Sequence, residues 1–561
     1  MMDTSDIIAF CFTIFIALTF TFAGVYLTDE LSPANQLHQL FEGHQLTYHE
    51  DKYGFYPDGS VDRSITGANY VMTYALLSPV LSIPVLTVLS FAPDASRLVP
   101  LIFWIICFMF MLNWLFENKK YVYAIGTIVI VSNFIFYKSF DIGNIEIVAI
   151  VLTNTFLYGL FGMMVWKIIS RMICEDYARI FSWIAVMSCS SLLFWVGALK
   201  DHVIVALLFI ILIYMFMKYH EIAKFGYEID IVNLLGISIS TGLLIWERPE
   251  LSVVLIPFIC LYLIYMHKTY ILPLIMFGVF TAISSLPTLI NNYIVTGSVA
   301  KFPFQAVNQT LGGAHFLSSS TVYDVLFHEF PAYFIANLSQ ITLTNIIGIL
   351  IVPLNGGIGI LPILLLPLTI LLLIPYFKKV KKFTLNSDEK ILIFFSSAII
   401  FMYLFTSYLG FRLHTESGIL PDMRYYSIIY APLTIASMSI ISRVFQFDYR
   451  KMIKRYIISL SVMMVIFAGL LMFIFNNEGV IYTNNIDIVA NIICIGLFGI
   501  LLAMMISLIR KDDASGLSYL IPVLISLPAA WQIFISVIIQ KVYMSPMFIP
   551  IMQVLKNFVF S

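Results

Sequence analysis

Charge is what this 561-residue sequence has least of. Only 11% of its residues are Asp, Glu, Lys or Arg, against roughly 25% in an ordinary soluble domain, and 60% are hydrophobic. A water-soluble fold is excluded. A basic surplus is also missing: the net charge of -1 provides no cationic surface of the kind that binds phosphate backbones, so nucleic acid is excluded as a partner. Cysteine is scarce. The six present (Cys11, Cys107, Cys174, Cys189, Cys260 and Cys494) mostly sit inside apolar runs, where a thiol behaves as a small hydrophobe, and no Cys/His spacing reads as a zinc site. The first apolar stretch lacks the basic leader and small-residue cleavage site of a signal peptide and is followed by Asp29-Glu30. It is expected to be a retained helix. No internal repeat or low-complexity segment is apparent, so the repeat-based plan of many transporters gains no support.

Long apolar runs are abundant. A bilayer core needs about 20 apolar residues per helix, and such runs extend from Ile7–Leu27 to Leu517–Ile538. Between these two, candidate spans lie near 97–116, 121–137, 145–166, 180–198, 203–217, 231–246, 251–266, 270–290, 356–376, 390–410, 426–443, 456–475 and 487–508. The fold class expected is all-α: a polytopic transmembrane helical protein with about fifteen spans.

The loops alternate in charge. Basic clusters at Lys119-Lys120, Lys167 to Arg171, Lys218 to Lys224, His267-Lys268, Lys378 to Lys382, Arg450 to Arg455 and Arg510-Lys511 belong inside by the positive-inside rule. Loops rich in acidic residues fall outside: 28–69, 138–145, the short Lys200-Asp201-His202 and Glu247-Arg248-Pro249-Glu250 turns, 291–330 and 411–425. The alternation requires one apolar segment before Lys119 not to cross. Tyr70 to Ala92 is the expected exception, because Pro79 and Pro84 interrupt helical hydrogen bonding and a re-entrant or surface arrangement suits it.

The first outer loop carries the strongest local signal. It opens with Thr28-Asp29-Glu30, and its first half, Leu31 to Leu46, sets Leu37, Leu40 and Phe41 at helical spacing. That is the one-sided stripe of a juxtamembrane helix lying in the interface. An acidic pair alone does no more than mark the end of a span. Company strengthens it: Lys200-Asp201-His202, Glu247-Arg248-Pro249-Glu250 and Asp422-Met423-Arg424-Tyr425 lie at span ends on the same face, and charges at membrane depth usually serve a function. Asp141 and Glu146 bracket Gly143-Asn144 on that face, where single acids read first as boundary markers. Arg248 and Arg424 offer the planar fork of donors suited to phosphate. Lys200 either adds charge there or pairs with Asp201.

This pattern resembles the integral-membrane glycosyltransferases of the C-type fold (GT-C), especially the relatives of protein mannosyltransferases and aminoarabinose lipid A transferases. The resemblance covers roughly residues 1–445. It rests on Asp29-Glu30 after the first span, the juxtamembrane helix, the acidic second outer loop around Asp141, and Asn291-Asn292-Tyr293 through Gly297-Ser298 and Pro303. No clear His-Pro-Pro-Leu-type segment follows the first loop, where Tyr56-Pro57-Asp58-Gly59 stands instead.

The resemblance implies a polyprenyl-phosphate sugar donor and a lipid, glycan or protein acceptor on the outer face. Asp29 would be the base and Glu30 its neighbour. Asp141, Glu146, Lys200, Asp201, His202, Glu247, Arg248, Glu250, Arg412, Asp422, Arg424 and Tyr425 are the expected substrate-binding residues. A divalent cation becomes possible if Asp29, Asp141 and Asp201 converge; the pattern identifies no specific cofactor. Residues 1–445 would form the catalytic module and 446–561 a set of C-terminal membrane helices, embedded in lipid and located in a prokaryotic plasma membrane ahead of the endoplasmic reticulum. Two rivals are weighed against this reading. A lipid-linked glycan transporter predicts charges near mid-membrane, and an O-antigen-type polymerase or ligase makes Arg412, Arg424 and the 291–330 loop primary.

Overall fold

The computed structural model describes residues 3–22, 24, 31–43, 47–48, 52, 61–63, 70–72, 75–91, 94–139, 145–225, 229–267, 271–296, 299, 384–405, 427–474, 483–510, 516–542 and 546–560. Among these, helix dominates. Seven helices are long and apolar enough to cross a membrane: Ala95–Leu115, Ile145–Met172, His202–Ala223, Leu272–Ile294, Ser427–Val444, Tyr449–Leu471 and Leu517–Ile538. Shorter apolar helices include Thr4–Phe20, Ile231–Glu247, Val254–His267 and Ile488–Met504. The chain is an integral membrane protein of helices. The expected span at 356–376 lies outside the described residues.

The N-terminal part runs α1 (Thr4–Phe20), α2 (Leu31–Phe41), three short strands β1 (Thr47–Tyr48), β2 (Val61–Arg63) and β3 (Tyr70–Met72), then α3 (Leu77–Ser90), α4 (Ala95–Leu115), α5 (Lys119–Ile135) and α6 (Ile145–Met172). Next come α7 (Asp176–Ser188), α8 (Leu192–Trp195), α9 (His202–Phe225), α10 (Ile231–Glu247), α11 (Pro249–His267) and α12 (Leu272–Thr296). The later helices are α13 (Ser387–Phe405), α14 (Ser427–Val444), α15 (Tyr449–Ile474), α16 (Thr483–Arg510), α17 (Leu517–Val542) and α18 (Pro550–Phe560). Helices α6, α9, α14 and α17 are largely buried in the protein, whereas α4, α12 and α15 turn most of their apolar surface outward.

Contacts between helix ends fix which ends lie together. At one end Lys167 reaches Asp6 at 3.5 Å, Arg171 bridges Glu221 at 2.6 Å and Asp388 at 2.7 Å, and Arg443 meets Glu389 at 2.5 Å. These groups adjoin the basic clusters, and we call this the inner end. At the other end the Arg97 guanidinium donates to the Lys138 carbonyl at 2.5 Å and the Phe548 carbonyl at 3.3 Å. Phe22 bridges to Met547 there, and Trp104 donates its indole N–H to Thr19 at 2.9 Å. The end of α1 and the start of α4 are therefore at the same, outer, end, so the segment joining them begins and finishes on one side. Helix α3 in that segment is 14 residues long, roughly 21 Å, against a hydrocarbon core of about 30 Å.

The structure refines these expectations at four points. Pro84 does not break its segment but sits inside α3, and Pro79 occupies the first turn, where no helical N–H bond is lost. Beyond α2 the N-terminal segment adds three short strands, which form an antiparallel sheet in the order β1-β3-β2, with Thr47 opposite Val71 and Asp62 opposite Val71 on the other side. The span expected at 180–198 is interrupted. Helix α7 stops at Ser188, and a single turn, α8, follows before α9 begins at His202. That non-helical backbone is tolerated because residues 189–199, Leu193 apart, are buried in protein and kept from lipid. Helix α2, finally, buries a mixed edge. Leu37 is buried, but so are Asn35, Gln36 and Gln39, while Phe41 is exposed.

Tight packing joins α1 to α6. A Cβ on Gly162 would overlap the Thr13 side chain, and one on Gly159 would come within 2.7 Å of Ile14. Small residues permit such close approach of membrane helices. Gly162→Val is expected to destabilise the protein by about 1–3 kcal/mol, read as a lower thermal midpoint in detergent, whereas Gly278→Ala, where nothing lies within 4 Å of the added Cβ, leaves it unchanged.

Candidate functional site at the outer end

Helix α6 organises the described part of the outer end. Its first turn carries Glu146, a favourable place for a carboxylate because the helix N-terminus is partly positive. Only 2% of Glu146 is exposed, and a lone buried carboxylate is costly. Two partners offset that cost: Lys52 donates to both carboxylate oxygens at 2.9 Å, and His38 Nδ1 lies 2.9 Å from Oε1. His38 belongs to α2 and Lys52 to the loop beyond it, so Glu146 ties the first outer segment to the membrane bundle. It is more than a boundary marker.

Two turns further along α6, Asn154 donates its side-chain amide to the carbonyls of Ala198 at 2.8 Å and Lys200 at 3.3 Å. These carbonyls belong to the buried turn between α8 and α9. His202 starts α9, and its ring stands edge-on to Trp195 with centroids 4.6 Å apart.

Asp201, between Lys200 and His202, faces Arg248. The Arg248 Nη2 donates to Asp201 Oδ1 at 2.7 Å and Nε donates to Oδ2, a bidentate pair. The alternative pairing of Asp201 with Lys200 is thus replaced by the geometry suited to guanidinium. The sequence Glu247-Arg248-Pro249 explains the placement. A residue before proline is driven out of the helical region, and proline suits a helix start; Arg248 accordingly leaves the helical conformation at φ -139°, ψ 78° between α10 and α11. Glu247 is buried at the end of α10, and Glu250 lies in the first turn of α11.

Burial opposes the charge on Asp201, but the Arg248 guanidinium, with smaller help from His202 and Lys200, outweighs it and holds the carboxyl well below the usual carboxylate range. Of the other expected site residues, Asp29, Glu30, Asp141, Arg412, Asp422, Arg424 and Tyr425 lie outside the described residues. The possible cation set therefore retains one described member, Asp201, with both oxygens on Arg248. Among the described residues no cluster of three or more potential metal ligands forms.

Sequence reasoning missed His38, Lys52, Asn154 and Trp195. Asn154 had a signal, a polar amide in the middle of an apolar run; the others are ordinary in their local context and gain roles through contacts 94 or 108 residues away in the case of Lys52 and His38.

Removing the Asp201 carboxylate breaks a largely buried ion pair: Asp201→Asn is expected to cost on the order of 3 kcal/mol. Because the folded carboxyl titrates below its unfolded value, the stabilisation is complete above the unfolded value and fades as pH falls below it. The gap in thermal midpoint between wild type and Asp201→Asn should hold from about pH 8 to about pH 5 and narrow below about pH 4.

No protein-family model and no curated protein matches this chain. Among solved structures it is similar to the crystal structure of ArnT from Cupriavidus metallidurans bound to undecaprenyl phosphate, with 10% identity, 95% of this chain and 77% of that one covered, and a TM-score of 0.45. The same protein in the apo state aligns with 10% identity, coverage of 95% and 75%, and a TM-score of 0.40.

Proposed function

We propose that this chain is a membrane glycosyltransferase of the C-type fold. It moves a hexosyl or pentosyl unit from a polyprenyl-phosphate carrier to a lipid, glycan or protein acceptor at the outer face. The observation that carries the reading is the assembly, around the outer part of α6, of the Glu146–Lys52–His38 cluster and the turn bearing Asp201, which pairs with Arg248 from the junction of α10 and α11. The first of these is built on the helix that follows Asp29-Glu30 in the sequence.

The chemistry asks for two things at that face. An acceptor hydroxyl must lose a proton as its oxygen attacks the anomeric carbon, and the carbon–oxygen bond to the lipid phosphate must break with both electrons going to the phosphate. A carboxylate suits the first task and fixed cations the second. Asp29 is assigned as the base, with Glu30 beside it. Direct displacement by a single base inverts the anomeric centre and dispenses with the nucleophilic carboxylate of a retaining glycosidase.

Arg248 is assigned to the departing phosphate, with Lys200 and His202 adding positive charge nearby. Asp201 occupies the Nε–Nη2 edge of Arg248 and thereby fixes the direction of a guanidinium that stays protonated. Glu146, Glu247, Glu250 and Asp141 complete this side, and Arg412, Asp422, Arg424 and Tyr425 supply the remainder from the 411–425 loop. Residues 1–445 form the catalytic module in this reading, and 446–561 support it in the plasma membrane of a prokaryote. Charges placed at helix ends favour an enzyme at the membrane surface over a translocation path.

The test supplies labelled polyprenyl-phosphate sugars to membranes containing the protein and compares wild type with Asp29→Asn, folding being verified by detergent chromatography. Wild type is expected to transfer sugar, and the folded variant to lose at least about 100-fold. Equal activity in the two would remove Asp29 from the chemistry and direct attention to Arg412 and Arg424 in a polymerase-like site.

A further inference from the structure

Helix α6 makes side-chain contacts with two outer segments that are far apart in sequence. Glu146 holds Lys52 and His38, each at 2.9 Å; Asn154 holds the carbonyls of Ala198 and Lys200. Both residues are almost wholly buried, at 2% and 0% exposure. Eight residues along a helix correspond to roughly 12 Å of rise and about 80° of rotation, so the two grips sit at a fixed separation on neighbouring faces of one rigid rod. Burial locks the rod. Helix α1 packs against its middle through Gly159 and Gly162, and Trp183 of α7 donates to the Gly162 carbonyl at 3.0 Å.

The grips differ in kind. Glu146 uses charge and seizes a half-exposed lysine and the imidazole of α2, a helix whose buried edge is polar (Asn35, Gln36, Gln39). Asn154 uses a neutral amide and takes backbone carbonyls in the turn that sets Asp201 against Arg248. Carbonyls in a broken helix at membrane depth have to be satisfied by protein, and Asn154 does this for two of them.

We propose that α6 is the ruler of the outer site and that Glu146 and Asn154 are positioning residues. Glu146 registers the first outer segment, Asn154 registers the Ala198–Asp201 turn that holds Arg248 through Asp201, and the rod between them sets their separation. The consequence for rate rests on the transferase reading above; the consequence for structure does not. Glu146 accordingly acts on the substrate through Lys52 and α2, not by touching it.

Two measurements on the full-length protein in vesicles test this. The first is steady-state sugar transfer. Glu146→Gln is expected to lower kcat by about 10- to 100-fold, the scale of a displacement of about 1 Å, with the donor KM changed less than about twofold, and Glu146→Asp to recover part of the loss. Asn154→Leu is expected to raise the donor KM, because it frees the turn whose Asp201 orients Arg248. A rise in donor KM for Glu146→Gln at unchanged kcat would make Glu146 a substrate contact and overturn the assignment, as would wild-type kinetics in either variant.

The second measurement needs no activity. A nitroxide at Glu42, an exposed residue just past α2, is expected to become more mobile by electron paramagnetic resonance in Glu146→Gln and to regain order in Glu146→Asp, with no change in Asn154→Leu. If wild type transfers no sugar, the transferase reading fails while the spin label still decides the structural part. An unchanged spectrum in Glu146→Gln would overturn it.

Discussion

The cost of placing charge in hydrocarbon governs this molecule. In a chain that is 60% hydrophobic and 11% charged, each ionised group must reach a helix end or find a partner, and several of the described ones do both. Lys167 with Asp6, Arg171 with Glu221 and Asp388, and Arg443 with Glu389 gather at the inner end; Glu146 with Lys52 and Asp201 with Arg248 gather at the outer. Sorting of this kind sets the direction of each helix, because a helix whose end groups were reversed would carry them away from their partners. The ion pairs at the two ends thus act as a check on topology as well as a local stabilisation.

The same constraint explains the irregular elements. A backbone carbonyl in lipid has no water to turn to, so the break between α7 and α9 has to be enclosed. Asn154 takes two of its carbonyls, and Gln532 of α17 donates to the Ser188 carbonyl at 3.1 Å where α7 ends. Ser188 also shares a 2.7 Å hydrogen bond with Tyr456 of α15. The C-terminal helices therefore do more than fill space beside α7: they satisfy the end of the broken helix, whose continuation bears Lys200 and Asp201. A polar residue in the middle of an apolar span can serve the break in a neighbouring one.

Much of the plan was legible in the sequence, and the limits follow from the range of the interactions. Apolar runs and basic loops are local signals, so helix existence and direction could be read, as could the need for the segment before Asp94 to return to its own side. The break at Cys189 is not local. Residues 180–198 are uniformly compatible with a span, and partners 44 and 344 residues away, Asn154 and Gln532, help make the interruption tolerable. The helix at 31–41 was legible as a helix, but not the surface it meets. Its hydrophobic stripe is real, but its Asn and Gln residues are buried as well, and nothing in the eleven residues reveals the surface that receives them. Asp201 could be recognised as a candidate, yet its choice of Arg248 over the adjacent Lys200 depends on Pro249 forcing the chain to turn 47 residues later.

Buried ion pairs are weak evidence of stability, since desolvation consumes much of their attraction. What they provide here is orientation. A guanidinium held by both carboxylate oxygens of Asp201 is fixed in direction, and a lysine held by both oxygens of Glu146 is limited in the same way. Fixed dipoles and charges serve a reaction when they need not reorganise as charge develops. A surface-exposed lysine and arginine with equal net charge would pay that reorganisation in each turnover. The proposed transfer of a sugar from a phosphate therefore places its demand less on how many cations reach the outer face than on how firmly α6 holds the segments that carry them.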